Sequence, residues 1–216
     1  MRSCHWPSSF LFLLPLLASP AAGAILYSAD TGSYSTAIGV AGGGTLSAAN
    51  YFVTVPGGES ITAIQIYWYP ENVPIPVGTP MAIHVWSDPD GDGTPDDAVS
   101  LAEADVLTGS GWVTYALPAP VNAGPAGTGF FAGFVIAHSR GQHPLSADSG
   151  PFANATWLSL NDDIRSAVLL STYFPWNAMI RAVGGEGGES PIPEPGTAAL
   201  VAASMAGLGA LRRLKR

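Results

Sequence analysis

Short alternating segments, separated by clusters of glycine, proline and aspartate, constrain the fold of this chain more than any other feature. Between residues 25 and 183, apolar and polar residues repeat with a period of two, and no segment there has a convincing helical period. Segments of this kind, bounded by turn residues, are typical of β-strands. The predicted strands are residues 46–55, 60–69, 79–86, 99–107, 112–117, 129–138, 156–160 and 178–183.

About eight strands in one domain of this length predict an all-β fold, a single jelly-roll-like β-sandwich. Residues 129–138 are apolar on both faces apart from the last residue, which predicts a central strand. We see no internal repeat. The predicted turns lie at residues 56–58, 74–80, 88–97, 109–111 and 118–127.

The N-terminus has the pattern of a cleaved signal peptide. Arg2 provides a weak positive region, residues 10–18 are apolar, and Ala22-Gly23-Ala24 is a small-residue cleavage site for signal peptidase. We therefore expect residues 1–24 to be removed and the mature chain to begin at Ile25. Cys4 is the only cysteine, so the mature protein is predicted to contain neither a disulfide nor a reactive thiol.

The C-terminus combines a proline-rich triplet, an apolar segment and a basic end. Pro193 and Pro195 favour an extended backbone around Glu194. The apolar run at residues 198–211 is short for a stable transmembrane helix, and the basic residues that follow it would remain on the cytoplasmic side. We predict a transmembrane helix over this run. The alternative is a permanent anchor that is never processed.

This tail resembles the PEP-CTERM sorting signal of Gram-negative bacteria. The resemblance rests on Pro193-Glu194-Pro195, the short apolar helix and the basic end, and it covers residues 191–216. It implies that exosortase, a membrane transpeptidase, processes the chain after a transient association with the inner membrane. Residues 184–190 are then a flexible linker between residues 25–183 and the tail. The expected destination is the cell surface or the extracellular matrix.

The charge of the mature body excludes some partners. Residues 25–190 contain three arginines, no lysine and 15 acidic residues, which gives 3 − 15 = −12. Nucleic acid and anionic lipid need basic patches, so neither is expected as a partner. The same balance suits binding of divalent cations, or simply solubility outside the cell.

An acidic loop is the one constellation with clear chemical content. Oxygen ligands at loop positions 1, 3 and 5, with Gly93 at position 6, resemble a calcium loop of the EF-hand type. Val99 stands at position 12 in place of the usual bidentate glutamate, so the loop is more similar to those of dockerin and thrombospondin type 3 modules. The alternative is a solvated acidic turn. The predicted ligands of a structural Ca²⁺ are Asp88, Asp90, Asp92, Thr94 and Asp96.

Enzyme signatures are absent from the sequence, which predicts no catalytic residues and no organic cofactor. There is no nucleophile elbow, no zinc-binding helix motif and no phosphate loop. His84, His138 and His143 fit strand or loop positions better than the role of a base. Asp162 and Asp163 are adjacent on the chain, which would point them to opposite faces of a strand. A hydrolase is the third-ranked hypothesis.

Two predicted strands carry aromatic residues on one face each. If residues 60–69 and 79–86 pair antiparallel, Tyr67 and Tyr69 share an outer face with His84 and Trp86. Flat rings beside hydrogen-bonding groups suit sugars. The second-ranked hypothesis is therefore a carbohydrate-binding module that acts on exopolysaccharide, and the alternative is that this face is covered.

The body also resembles the anonymous sandwich domains of secreted bacterial proteins. The resemblance rests on Ile83-His84-Val85-Trp86-Ser87-Asp88 running into an acidic loop, and on Met179-Ile180-Arg181-Ala182 as a closing strand. It implies no particular activity. The leading hypothesis is an exported, non-enzymatic surface or matrix protein.

Overall fold

The computed structural model describes residues 23–69 and 75–185, which form an all-β fold. Two single-turn 3₁₀ helices, Ile164–Ser166 and Leu170–Thr172, are the helical elements of this part of the chain. Its thirteen strands are β1 (Ile25–Ser28), β2 (Thr36–Ile38), β3 (Gly43–Val53), β4 (Ser60–Trp68), β5 (Pro80–Ser87), β6 (Val99–Leu107), β7 (Gly111–Asn122), β8 (Gly129–Ser139), β9 (Leu145–Asp148), β10 (Thr156–Ser159), β11 (Val168–Leu169), β12 (Asn177–Ala178) and β13 (Ile180–Gly185).

The strand order confirms the predicted jelly roll. One sheet has the order β1-β13-β4-β7, and the other has the order β11-β10-β3-β8-β5-β6. Four antiparallel pairs are nested along the chain, namely β1 with β13, β3 with β8, β4 with β7, and β5 with β6. These eight strands form the two facing sheets of a jelly roll. β12, β9 and β2 form a small additional sheet.

The main core lies between the two sheets. Alternate side chains of β4, among them Ile64 and Ile66, point inward and are fully buried. Trp68 packs on Phe134 of the opposite sheet with ring centroids 5.5 Å apart, and its indole nitrogen donates to the Tyr115 hydroxyl at 2.8 Å. β8 is buried on both faces over most of its length and lies between β3 and β5, which confirms the predicted central strand.

A second apolar cluster lies on the outer face of the six-stranded sheet. The segment that contains the two 3₁₀ turns contributes Ile164 to it, so this face is partly covered. We call this group the outer cluster; its members are Ala49, Trp86, Ala98, Phe131 and Ile164.

Some predicted boundaries differ from the structure. β7 continues through Pro118 and Pro120 to Asn122, where the sequence predicted a turn. β7 is the edge strand of its sheet, and an edge tolerates residues that lack an N–H donor. β13 also continues to Gly184 and Gly185, which pair with β4 although they were predicted to begin the linker.

Among the described residues, no helix has the length and apolar character that a membrane crossing requires. The predicted signal peptide through residue 22, the predicted helix at 198–211 and the triplet Pro193-Glu194-Pro195 lie outside the described residues.

Candidate functional site

The acidic loop connects β5 to β6 at one end of the six-stranded sheet. The two strands pair up to Ser87 and Val99, so the loop is closed at its base by the hairpin. Gly91 and Gly93 have φ values of 75° and 80°, a left-handed conformation that glycine adopts without strain. These two glycines allow the loop of residues 88–97 to reverse the direction of the chain.

Three carboxylates converge inside this loop. One oxygen from each of Asp88, Asp90 and Asp97 lies within 4.8 Å of the other two. Asp88 directly follows β5 and is only 4% exposed, Asp97 is partly buried, and Asp90 is exposed. The group therefore extends from the end of a core strand to the solvent.

Two carboxylate oxygens in this group have no hydrogen-bond partner. Asp88 accepts from the Gly93 amide at 3.1 Å through Oδ2, whereas its Oδ1 is buried and unpartnered. Asp97 accepts from the Asp90 amide at 3.1 Å through Oδ2, and its Oδ1 is likewise buried and unpartnered. Burial and the charge of Asp90 raise the pKa of Asp97 above its usual value.

The structure groups only two of the five predicted ligands. Asp92 accepts from the Thr94 amide and hydroxyl at 2.7 and 2.8 Å, and the same hydroxyl lies 2.7 Å from Asp96. The hydrogen bonds from Thr94 lower the pKa of Asp92. The side chains of Asp92 and Asp96 thus bind Thr94, and the Asp92 amide donates to Asp90 Oδ1 at 3.1 Å. Asp97, which was not among the predicted ligands, lies beside Asp88 and Asp90. The only sequence signal for Asp97 was its position near the closing base of the hairpin.

Tyr51 of β3 connects the loop to the outer cluster. Its ring lies 5.2 Å from Phe131, and its hydroxyl lies beside Gly129, next to the Asp88 carboxylate. Burial and then the negative charge of Asp88 raise the pKa of Tyr51. A change in the position of Asp88 would therefore disturb the contact between Tyr51 and Phe131 of the outer cluster.

The predicted aromatic platform is wrong. β4 lies in the four-stranded sheet between β13 and β7, whereas β5 lies in the six-stranded sheet between β8 and β6. Tyr67 and Tyr69 consequently face away from His84 and Trp86, on the opposite side of the sandwich. β4 and β5 follow one another along the chain, but the connection between them crosses from one sheet to the other, so they do not pair.

His84 and Trp86 form a stacked pair that is largely covered. Their ring centroids are 4.7 Å apart at an interplanar angle of 8°, and Trp86 is only 6% exposed within the outer cluster. The Nδ1 atom of His84 has no hydrogen-bond partner and lies 3.8 Å from a carboxylate oxygen of Glu103. Burial lowers the pKa of His84, and the charges of Glu103 and Asp105 oppose this effect.

Tyr67 and Tyr69 belong to a different aromatic group, on the outer face of the four-stranded sheet. Tyr34 stacks on Tyr69 at 3.6 Å, and Tyr67 packs edge-on against Trp112 at 5.4 Å. Trp112 lies opposite Tyr67 in the β4–β7 register and is 36% exposed. We call this group the tyrosine–tryptophan surface; it consists of Tyr34, Tyr67, Tyr69 and Trp112.

An ion pair borders the tyrosine–tryptophan surface. The Arg181 guanidinium lies 4.0 Å from the Trp112 ring centroid and donates two hydrogen bonds to Asp30, at 3.0 and 2.6 Å. Asp30 belongs to the same connection as Tyr34, so this connection is fastened to the sheet by both charge and stacking. The sequence analysis identified neither Tyr34 nor Trp112.

Two of the remaining candidate residues have local structural partners. His138 accepts from the Val40 amide through Nε2 at 3.2 Å. Asp163 caps the first 3₁₀ turn and binds the Arg165 guanidinium at 2.8 and 3.0 Å. His143 lies in the connection between β8 and β9, and Asp162 is exposed.

An apolar cavity of about 500 Å³ lies beside the edge strand β11. The exposed side chains of Leu160, Val168, Tyr173 and Phe174 contribute to its wall. Ser159 and Ser166, also in the wall, hydrogen-bond each other at 2.8 Å. No pattern in the sequence predicted this cavity.

Comparison with known proteins identifies similar solved structures but no family. No protein-family model matches the chain, and no curated protein matches it. A clostridial cysteine protease, Cwp84 after propeptide cleavage, is similar with a TM-score of 0.52 and 16% identity, over 75% of this chain and 40% of that chain. A structure of the cysteine protease and lectin-like domains of Cwp84, a surface layer associated protein of Clostridium difficile, gives a TM-score of 0.47 and 14% identity, over 75% and 36% of the two chains. This chain spans less than half the length of each of these two proteins. The similarity to the first structure supports the fold alone.

Proposed function

We propose that this protein is an exported, non-enzymatic β-sandwich of the cell surface or extracellular matrix, delivered by its C-terminal sorting signal. The observation that carries the proposal is where the sandwich begins. β1 starts at Ile25, directly after the predicted cleavage site, and Ile25 pairs with Gly184 of the last strand. Removal of residues 1–24 would therefore leave every strand of the jelly roll intact.

The two processing steps would act outside the sandwich. Because Ile25 and Gly184 are paired, both ends of the domain leave the four-stranded sheet at the same end of the β1–β13 ladder. Signal peptidase would cut before β1. Exosortase would act after β13, at Pro193-Glu194-Pro195, while the apolar segment 198–211 holds the chain in the inner membrane.

The protease activity of the structural neighbour does not transfer to this chain. A cysteine protease needs a thiolate nucleophile. The only cysteine here is Cys4, which lies inside the predicted signal peptide. The likeness is compatible with a surface role, but it contributes no catalytic group.

Cell fractionation in an exosortase-bearing host tests the proposed destination. We expect the parent protein in the outer-surface or matrix fraction, and a variant with Pro193→Ala, Glu194→Ala and Pro195→Ala in the inner-membrane fraction. The matched control replaces Pro118 and Pro120 of β7 by alanine, which also removes prolines but leaves the tail intact. Identical distribution of the parent and the tail variant would contradict sorting through this triplet.

A second candidate function is binding of exopolysaccharide at the tyrosine–tryptophan surface. Trp112 offers a partly exposed ring there, and the Gln65 amide and Thr114 hydroxyl lie 3.1 Å apart on neighbouring strands. Aromatic rings beside such groups suit sugar rings. Retardation in gels that contain exopolysaccharide should be lost in Trp112→Ala and retained in Tyr173→Ala, whose aromatic side chain is exposed elsewhere. Equal retardation of both variants would exclude this surface.

A further inference from the structure

We propose that Asp88, Asp90 and Asp97 form a binding site for a hard divalent cation, calcium by preference, that fastens the β5–β6 loop to the six-stranded sheet. Three carboxylate oxygens within 4.8 Å of one another are the first observation. The proposal does not depend on the sorting signal. It also differs from the ligand pattern that the sequence predicted.

The second, independent observation is the unpartnered oxygen of Asp88. This side chain is only 4% exposed, and its Oδ1 has no hydrogen-bond donor. A buried carboxylate oxygen without a partner is costly, because that oxygen has lost its hydration and accepts no hydrogen bond in exchange. Asp97 presents a second buried oxygen in the same condition within the same group. A cation placed between them would compensate both.

Basic side chains do not supply this compensation. Within residues 23–69 and 75–185, the ion pairs join His84 to Glu103, Arg165 to Asp163, and Arg181 to Asp30. None of these pairs reaches the loop. The positive charge therefore has to come from an ion in solution.

The chemistry of the site favours calcium over other divalent ions. All three ligands are carboxylates, with neither the imidazole nor the thiolate that transition metals favour. Ca²⁺ accepts an irregular set of oxygen ligands, whereas Mg²⁺ demands near-ideal octahedral geometry and gives up its water reluctantly. Backbone carbonyls and water would complete the coordination, since Ca²⁺ takes six to eight oxygens.

Occupancy of the site would also order the outer cluster. The Tyr51 ring packs on Phe131, and the Tyr51 hydroxyl and the Asp88 carboxylate both lie against Gly129. A cation that fixes Asp88 would therefore also limit the movement of Tyr51 against the sheet. This connection makes the site structural in role.

Calorimetric titration of the EDTA-treated, dialysed protein with CaCl₂ tests the proposal. With three carboxylates and no bidentate glutamate, we expect a dissociation constant of roughly 10⁻⁴–10⁻³ M. Asp97→Asn should weaken binding at least about tenfold, because it removes one ligand charge. Asp96→Asn should change the dissociation constant by less than about threefold, because the Asp96 carboxylate bonds to Thr94 and is not one of the three converging groups. Asp162→Asn is the charge-matched control outside the loop.

The outcomes separate a specific site from charge screening. We also expect CaCl₂ to raise the melting temperature more than NaCl at the same ionic strength does. If the two salts raise it equally, or if calorimetry detects no binding, the loop is an acidic turn. If Asp97→Asn binds as tightly as the parent, the proposed ligand set is wrong. Calorimetry is performed on the folded protein, and Asp97→Asn is nearly isosteric at a partly buried position, so a loss of binding can be distinguished from unfolding by circular dichroism.

Discussion

Gly129 occupies the point where Tyr51 and Asp88 meet. A Cβ atom at this position would lie 2.7 Å from Asp88 Oδ2 and would overlap the Tyr51 hydroxyl. The first residue of β8 is therefore confined to glycine by two neighbouring polar groups. This single contact connects the loop, β3 and β8.

Replacing Gly129 by alanine should lower the free energy of unfolding by about 1–3 kcal/mol, because overpacking displaces two fixed side chains. Chemical denaturation measures this change. Gly185→Ala is the matched control, since a Cβ there would meet nothing within 4 Å. Equal stability of the two variants would show that Tyr51 and Asp88 move aside without cost.

His84 should make the fold sensitive to mild acid. Burial lowers its pKa in the folded protein, against the opposing charges of Glu103 and Asp105. Histidine in the unfolded chain has a pKa of about 6.5, so the unfolded chain binds the proton more readily than the folded protein does. Stability therefore falls as the pH drops below about 6.5, and it stops falling once the pH is below the folded pKa of His84. Urea unfolding at pH 7.5 and 5.5 should show a smaller pH dependence for His84→Gln than for the parent. An unchanged dependence would contradict the assignment to His84.

At the scale of elements, a buried polar network joins β3 to the end of the chain. Asn50 is fully buried and donates to the carbonyls of Ala178 and Ile180, at 2.9 and 2.8 Å. The Asn50 side-chain oxygen accepts from Thr156 Oγ1 at 2.6 Å, and Thr156 Oγ1 in turn accepts from the Ala178 amide. The network connects β10 and β3 to β12 and β13, so it fixes how the closing strand meets the six-stranded sheet.

Asn50→Ala should lower the free energy of unfolding by about 2–4 kcal/mol, because it leaves buried carbonyls and a hydroxyl without partners. Gln65→Ala provides the comparison, since its amide bonds Thr114 on the exposed face and its loss should cost no more than about 0.5 kcal/mol. Equilibrium urea denaturation distinguishes the two expectations. Similar losses for both variants would contradict a special role for the network.

The seven long strands, β3 to β8 and β13, were predictable because each is long enough to show a period of two and is bounded by turn residues. β11 and β12, with two residues each, are too short to show any period. The end of β7 was missed because Pro118 and Pro120 indicate a turn, and only the position of β7 at a sheet edge makes them acceptable.

The site was only partly predictable because its geometry depends on pairing. Asp88 and Asp90 follow from spacing along the loop, whereas the position of Asp97 depends on how the β5–β6 hairpin closes. The aromatic prediction failed because it assumed that β4 and β5 pair. Alternation identifies the face on which Tyr67 lies, but the jelly-roll crossover decides which strand is beside it.

At the scale of the whole molecule, the jelly roll closes on itself through its first and last strands. Ile25 and Gly184 are paired at one end of the β1–β13 ladder. The first and last strands therefore begin and end at the same end of this ladder. We expect a compact domain that survives the loss of residues 1–24 and of the C-terminal tail.

The intact mass of the exported protein, measured by mass spectrometry from an exosortase-bearing host, tests the central claim most directly. We expect a species that begins at Ile25 and ends near Pro193-Glu194-Pro195, without the apolar segment 198–211. An exported species whose C-terminus is Arg216 would contradict it.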